Sequence, residues 1–370
     1  MCAKLLSRAK AQLENGLPFV LYSKPQQPIL NAIFQEDDVV HYLEDYTEQG
    51  FVFAPFLDDE TPVLLKSEKV HTAPLEFSSH QTAQVHQDTP SASKEEARYI
   101  TLVEKAIAEI HTGNCKKIVL SRSFEVPLSK PVLAIFEQLL RTYPNAFCYL
   151  WYHPKVGMWC GATPEILVKT KGLEFTTMSL AGTQNQLVGE EHPNWTPKEL
   201  QEQQLVTDYI AEVLQSRAKE VRVGAVETVK AGHLWHLRSK ITGRFSQGMF
   251  QDLVTALHPT PAVCGLPLAD ARCFILENEH YQRMFYTGFL GELNFRHEIP
   301  RNRNRRNQEN SAYRTVTSAS ELYVNLRCMQ LVKDIAIVYV GGGITANSQA
   351  RNEWLETQSK AQTMLRILAT

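Results

Sequence analysis

What the chain lacks narrows its class first. No run of 18 apolar residues occurs in its 370 residues, so a membrane-spanning helix is not expected. The start, Met1-Cys2-Ala3-Lys4-Leu5-Leu6-Ser7-Arg8, turns charged too soon for a secretory signal. An excess of one charge is missing too. Lys and Arg number 38 against 40 Asp and Glu, a formal net charge of −2. That balance argues against a globally basic nucleic-acid binder and against an acidic disordered tail. Cys-x-x-Cys pairs are absent, and the seven cysteines (2, 115, 148, 160, 264, 273 and 328) are odd in number and scattered. This pattern fits reduced thiols in a cytoplasmic protein rather than a disulfide framework or a zinc site. Neither a Walker sequence nor a full dinucleotide fingerprint is present, so nucleotide binding is not indicated.

Apolar residues make up 44% of the chain, ample for a core at this length. No composition break follows residue 95 and no repeat is found. The chain therefore reads as one domain over 1–370, with a variable part at 1–95 and a motif-bearing part at 96–370. Residues 72–95, rich in Ser, Thr, Gln and His, read as a loop. Ser93 and Glu96 have capping-box spacing ahead of a helix that Gly113 can end. Strand-like runs fall at 19–22, 50–53, 117–122, 147–152, 157–161, 165–169, 173–178, 220–229, 286–293, 322–331 and 335–340. Further helices are predicted over 131–142, 198–217, 248–257, 267–280 and 347–368. Many strands without regular helical crossovers predict a largely antiparallel α+β fold. The arginine-rich stretch 296–314 lacks interleaved aromatics and reads as a solvated loop rather than a nucleic-acid patch.

Four features carry chemical interest. Lys117 lies in the apolar strand 117–122, where a buried ammonium is costly unless it is paired or functional. Glu165 enters a strand directly after Pro164. Glu199 and Glu202 are spaced i, i+3, as are Glu353 and Glu356, with Lys360 one turn beyond. Two carboxylate pairs facing each other would repel without a cation, and a hard divalent ion would resolve that. Gly341, Gly342 and Gly343 read as a strand-to-helix turn where backbone can approach an anion. Each feature alone has an ordinary reading: a snorkelling lysine, surface carboxylates, solvated helix faces, a plain turn.

Their order is another matter. The segments 117–122, 161–167, 180–183, 235–237, 258–262, 288–291, 326–328, 341–344 and 353–357 together resemble the chorismate-utilising enzymes, the family of anthranilate synthase component I. Within it the chain is most similar to the isochorismate synthases. The resemblance runs from about residue 95 onward. It implies an α+β fold of two stacked, largely antiparallel sheets with helices packed outside, and a Mg²⁺-dependent site. Amine-transferring relatives carry glutamine where Lys117 stands, and some carry a nucleophilic lysine where Ala181 stands. Lysine at 117 with alanine at 181 is the water-using pattern, shared by isochorismate and salicylate synthases.

The resemblance implies isomerisation of chorismate to isochorismate, with water adding at C2 and the C4 hydroxyl leaving. Lys117 would be the base, if burial lowers its pKa from about 10.4. Glu165 would be the acid, held protonated by a low-dielectric site. Mg²⁺ would be bound by Glu202 and Glu356, with Glu199 and Glu353 holding water or orienting the shell. Arg327, Lys360 and the amides of Gly341, Gly342 and Gly343 would bind substrate carboxylates, Tyr286 and the Thr183 hydroxyl would add hydrogen bonds, His236 would line the ring, and Gly182 would belong to the same substrate site. Gln203 stands where relatives often have histidine. Salicylate synthase and a non-catalytic chorismate-binding relative are the alternatives. No glutaminase subunit, nucleic acid or membrane partner is expected, and a monomer is.

Overall fold

Strand patterning dominates the chain. The computed structural model describes residues 2–67, 69–75, 93–185, 193–231, 234–300 and 314–369, and forms seventeen strands and seven helices among them. The N-terminal part holds α1 (Cys2–Glu14), β1 (Phe19–Ser23), β2 (Ile29–Phe34), β3 (Gly50–Ala54), β4 (Val63–Lys66) and β5 (His71–Pro74). Then come α2 (Ser93–Thr112), β6 (Lys117–Pro127), α3 (Val132–Thr142), β7 (Phe147–His153), β8 (Gly157–Thr163), β9 (Ile166–Lys171) and β10 (Glu174–Asn185). The chain continues through α4 (Pro197–Gln215), β11 (Ala218–Ala231), β12 (Leu234–Phe245), α5 (Phe250–Leu257), β13 (Gly265–Leu266) and α6 (Leu268–Asn278). It closes with β14 (Phe289–Pro300), β15 (Arg314–Val324), β16 (Cys328–Val332), β17 (Ile335–Ile344) and α7 (Ala350–Ala369).

The strands form two sheets, ordered β13-β6-β17-β16-β8-β7-β1-β2-β5 and β11-β12-β10-β9-β15-β14-β3-β4. The sheets pack face to face through aromatic side chains. Phe53 meets Trp151 at 4.9 Å between ring centroids, and Phe147 stacks on Tyr323 at 4.2 Å. Such rings each bury a large apolar area and add roughly 0.5–1.5 kcal/mol per pair beyond it. Outside the first sheet, α1, α3 and α7 cover Phe19, Leu150 and Met329. Outside the second, α4 and α5 cover Val168, Phe175 and Ile241. This is the stacked α+β architecture implied by the resemblance.

Several boundaries differ from the sequence reading, each for a physical reason. Residues 71–74, at the start of the expected loop, pair with β2 as an edge strand. Only Ala73 of the four is buried, so no apolar alternation marked it. Residues 76–92 of that loop lie outside the described residues, as do the side chain of Ser93 and most of the arginine-rich stretch, while 93–95 form the first turn of α2. The run 322–331, read as one strand, is two: β15 in one sheet and β16 in the other. Asn325 breaks it. Its side chain donates to the Phe285 carbonyl and accepts from the Tyr149 hydroxyl, and its N–H donates to Gly288. Arg327 follows at φ +48° as the chain crosses between sheets.

Candidate active site

The largest correction concerns the three glycines. They do not form a turn into a helix. They extend β17, with Gly341 opposite Ser121, Gly342 opposite Leu120 and Gly343 opposite Val119 on β6. The last helix begins only at Ala350, so the glycine amides are not a helix N-terminus. The glycines are needed for space. A Cβ at Gly341 would sit 2.6 Å from the Leu120 carbonyl oxygen. One at Gly343 would sit 2.6 Å from Glu202 Oε1 and 2.8 Å from Lys117 Cε. Above Gly342 the nearest atoms are Glu353 Oε2 and Glu356 Oε1, both at 3.7 Å. The glycine run is thus a floor on which Lys117 and three carboxylates rest.

Each of those carboxylates meets a lysine. Lys117, 1% exposed at the start of β6, holds Glu202 Oε1 at 2.9 Å. Lys360 on α7 holds Glu356 Oε1 at 2.6 Å and donates to the Gly341 carbonyl at 2.9 Å. Lys198 on α4 reaches across to Glu353 Oε1 at 2.6 Å. The second oxygen of Glu353, buried over Gly342, has no hydrogen-bond partner. Burial and the neighbouring Glu356 push the Glu353 carboxyl above its ordinary range. Burial acts on Glu202 in the same direction, but the Lys117 ammonium outweighs it and holds that carboxyl low. Among the described residues, no three His, Cys, Asp or Glu side chains form a ready-made metal cage. The charges are balanced in pairs instead.

Glu199 does not join this group. Its carboxylate accepts from the Thr196 N–H at 2.9 Å and from the Thr196 hydroxyl, completing a capping box at the start of α4. Its Cβ packs over Gly182, at φ +70° in a bulge of β10. Lys198 is the residue that sequence reasoning missed. Its spacing of four from Glu202 was a signal, since it places both on one face of α4. Gln203 turns the other way and donates to the Ser179 hydroxyl at 2.9 Å, tying α4 to β10.

The opposite wall of the cleft holds the remaining expected residues. Glu165, 4% exposed, sits just before β9, and burial raises its carboxyl to about 7 despite Lys117, Lys360 and Arg327 nearby. Arg327 donates to the Thr363 hydroxyl at 3.1 Å and faces the cleft. Tyr286 stacks on Tyr339 at 5.3 Å, in a turn before β14 rather than within it. The His236 Nδ1 lies 3.2 Å from both the Thr183 hydroxyl and the Gly182 carbonyl, so these three residues form one edge. Ala181 lines the cleft with them. The open space is narrow, about 80 Å³, with Glu202, Glu356 and Lys360 among its walls.

This arrangement of a buried lysine, a protonatable glutamate, converging carboxylates and a guanidinium coincides with a match to known sequences. A family model described as chorismate binding enzyme matches residues 57–298, and a second of the same description matches 312–366. The chain belongs to the chorismate-binding enzyme family. Isochorismate synthase DhbC of Bacillus subtilis is 29% identical over 340 residues, 85% of this chain and 79% of that protein. Isochorismate synthase EntC of Escherichia coli is 28% identical over 287 residues, 75% of this chain and 68% of that protein. The solved structure of MenF, the menaquinone-specific isochorismate synthase of Escherichia coli, superposes with a TM-score of 0.72 at 20% identity. That comparison covers 95% of this chain and 88% of the other, and it establishes the shared fold. No described helix is long and apolar enough to cross a membrane.

Proposed function

We propose that this family member is an isochorismate synthase: a Mg²⁺-dependent isomerase that adds water at C2 of chorismate and expels the C4 hydroxyl. The observation that carries the reading is the lysine at the start of β6. It is buried beside the glycine floor, in the cleft that also holds a glutamate near neutral pKa. Water is a poor nucleophile and hydroxide a poor leaving group, so the reaction needs one base and one acid. Lys117 serves as base once its ion pair with Glu202 opens. Glu165 serves as acid, because its desolvated carboxyl keeps a proton to near pH 7. Arg327 and Lys360 hold the substrate carboxylates, and Thr183, His236 and Tyr286 line the ring.

The donor set fits Mg²⁺. It consists of oxygens alone, the Glu353 Oε2 atom is buried without a partner, and the glycine at 342 leaves open space before Glu353 and Glu356. Magnesium commonly takes one or two carboxylates and completes its shell with water and substrate oxygens. Glu356, Glu202 and Glu353 would hold it, with Glu199 left to cap α4. When bound, the ion would polarise the ring carboxylate and stabilise charge that develops as water attacks. The deciding experiment is product analysis of the purified protein with chorismate and Mg²⁺. Isochorismate alone is expected, with turnover abolished by excess chelator. Salicylate plus pyruvate would replace this reading with the salicylate synthase alternative, and full turnover in chelator would remove the metal from it. The water-using pattern goes with action without a glutaminase subunit, by a monomer.

A further inference from the structure

On the far side of β6 from the catalytic cleft lies a second cavity that the proposed reaction does not use. The strand runs on past its two-residue partner β13, which reaches only Lys117 and Ile118. The Val119 N–H still donates to the Cys264 carbonyl just before β13, at 2.9 Å, and from Leu120 onward that edge has no strand neighbour among the described residues. The cavity, about 180 Å³, opens between this edge, α2 and the segment 279–281. This is smaller than the roughly 300–1,000 Å³ typical of drug-sized sites, so only a small ligand suits it.

Three buried polar atoms on residues lining this cavity have no hydrogen-bond partner: Arg122 Nη2, the Tyr99 hydroxyl and Glu95 Oε2. Arg122, 9% exposed, donates through Nε to the Thr357 hydroxyl at 3.0 Å and lies 4.1 Å over the Trp354 ring, but its Nη2 makes no hydrogen bond. Tyr99, 3% exposed on α2, leaves its hydroxyl unpaired. Buried polar atoms are normally satisfied, so three orphans on one cavity, two of them donors, call for an explanation. The charge is matched only by a long ion pair. The carboxylate nearest Arg122 is Glu95, at 3.9 Å from Nη1 and partly exposed. Glu279 is already committed: it accepts from the Ser121 N–H and hydroxyl and pairs with Arg283 at 2.6 Å. Burial accordingly lowers the Arg122 pKa. The alternation that aims the Ser121 N–H at this edge aims the Ser123 N–H there too.

We propose that this cavity is a second binding site, for a small carboxylic acid with an apolar body, whose carboxylate is held by Arg122 Nη2 and the Tyr99 hydroxyl. A guanidinium N–H and a hydroxyl on one cavity offer donors for the two oxygens of a carboxylate. Leu102 and the rings of Tyr99 and Tyr281 supply apolar wall for the body. The ligand would be felt at the catalytic cleft, because Trp354 and Thr357, which Arg122 touches, adjoin Glu353 and Glu356 in sequence on α7.

Calorimetric titration of the full-length protein with benzoate tests this, with benzamide as the uncharged control. Saturable benzoate binding is expected, with benzamide at least about tenfold weaker, since hydrogen bonds to charged groups carry at least that factor. Arg122→Gln should weaken benzoate at least about tenfold, and Tyr99→Phe, which removes one oxygen and keeps the ring, severalfold. Arg327→Gln, which alters the catalytic cleft, should leave it unchanged. No binding by the wild-type protein would overturn the proposal, as would binding that survives both Arg122→Gln and Tyr99→Phe. Binding lost only in Arg327→Gln would place benzoate in the catalytic cleft and overturn it equally. If Arg122→Gln fails to fold, the Tyr99→Phe comparison decides alone. None of these outcomes depends on the isochorismate synthase reading.

Discussion

Replacing Glu165 with glutamine keeps the shape of the side chain and removes its proton, so it separates catalysis from stability. Burial raises this carboxyl from an ordinary 4.5 to about 7. That difference corresponds to about 3 kcal/mol between the neutral and ionised forms in the folded protein. The sign follows from proton linkage. The folded protein holds a proton on Glu165 that the unfolded chain has released, so stability from this group is fully present below about 4.5 and lost as pH rises through about 7. Glu165→Gln never ionises. It should match the wild type near pH 4.5 and exceed it by up to about 3 kcal/mol at pH 8 in denaturant unfolding. Its rate of isochorismate formation should fall by roughly 10²–10⁴-fold, the usual contribution of a positioned acid, with chorismate binding retained. The wild-type rate should itself decline on the alkaline side around pH 7, as the proton is lost. Near wild-type turnover by Glu165→Gln would remove it as the acid. A stability difference that does not change with pH would show that the carboxyl is not held neutral at all.

Three further outcomes are expected. Lys117→Gln should lose at least about 10²-fold in isochorismate formation, and titration should show chorismate affinity retained; loss of binding as well would make the lysine structural. Gly343→Ala pushes a methyl group against Glu202 Oε1 and Lys117 Cε, both movable ends of side chains, so the protein should fold with a nearly unchanged melting temperature. Its rate should drop about 10²-fold, as expected for an ångström-scale misplacement of catalytic groups. Glu199→Ala should cost about 1 kcal/mol in thermal unfolding through the lost α4 cap while Mg²⁺ affinity, read by calorimetry, stays unchanged. A large loss of metal affinity would return Glu199 to the metal shell.

Much of the fold was legible in the order of residues alone. Long apolar runs such as 147–152 became strands because a segment buried on both faces needs no alternation to announce itself. The last helix was visible from its apolar periodicity, and Glu353, Glu356 and Lys360 shared a face by spacing. Short edge strands such as β5, with a single buried residue, left no pattern to read. The site residues could be listed from their motifs, but the motifs carried no geometry. Glu199 and Glu202 are paired by their mutual spacing, and it is Thr196, three residues before Glu199, that assigns Glu199 to the cap through its N–H and hydroxyl.

What the sequence by itself determined is the local chemistry: which residues can ionise, which stretches must be buried, and where glycine permits close approach. Those properties depend on near neighbours along the chain. What the tertiary structure decided is which charges meet. Lys198 reaches Glu353, 155 residues away, and the glycines at 341–343 serve β6 and the carboxylates rather than a helix end. Burial in the folded cleft raises the Glu165 carboxyl to about 7, and Arg122 Nη2 is left without a partner at the cavity beside α2. Burial and long-range pairing set these electrostatic outcomes, and both exist only once distant strands and helices have closed on one another.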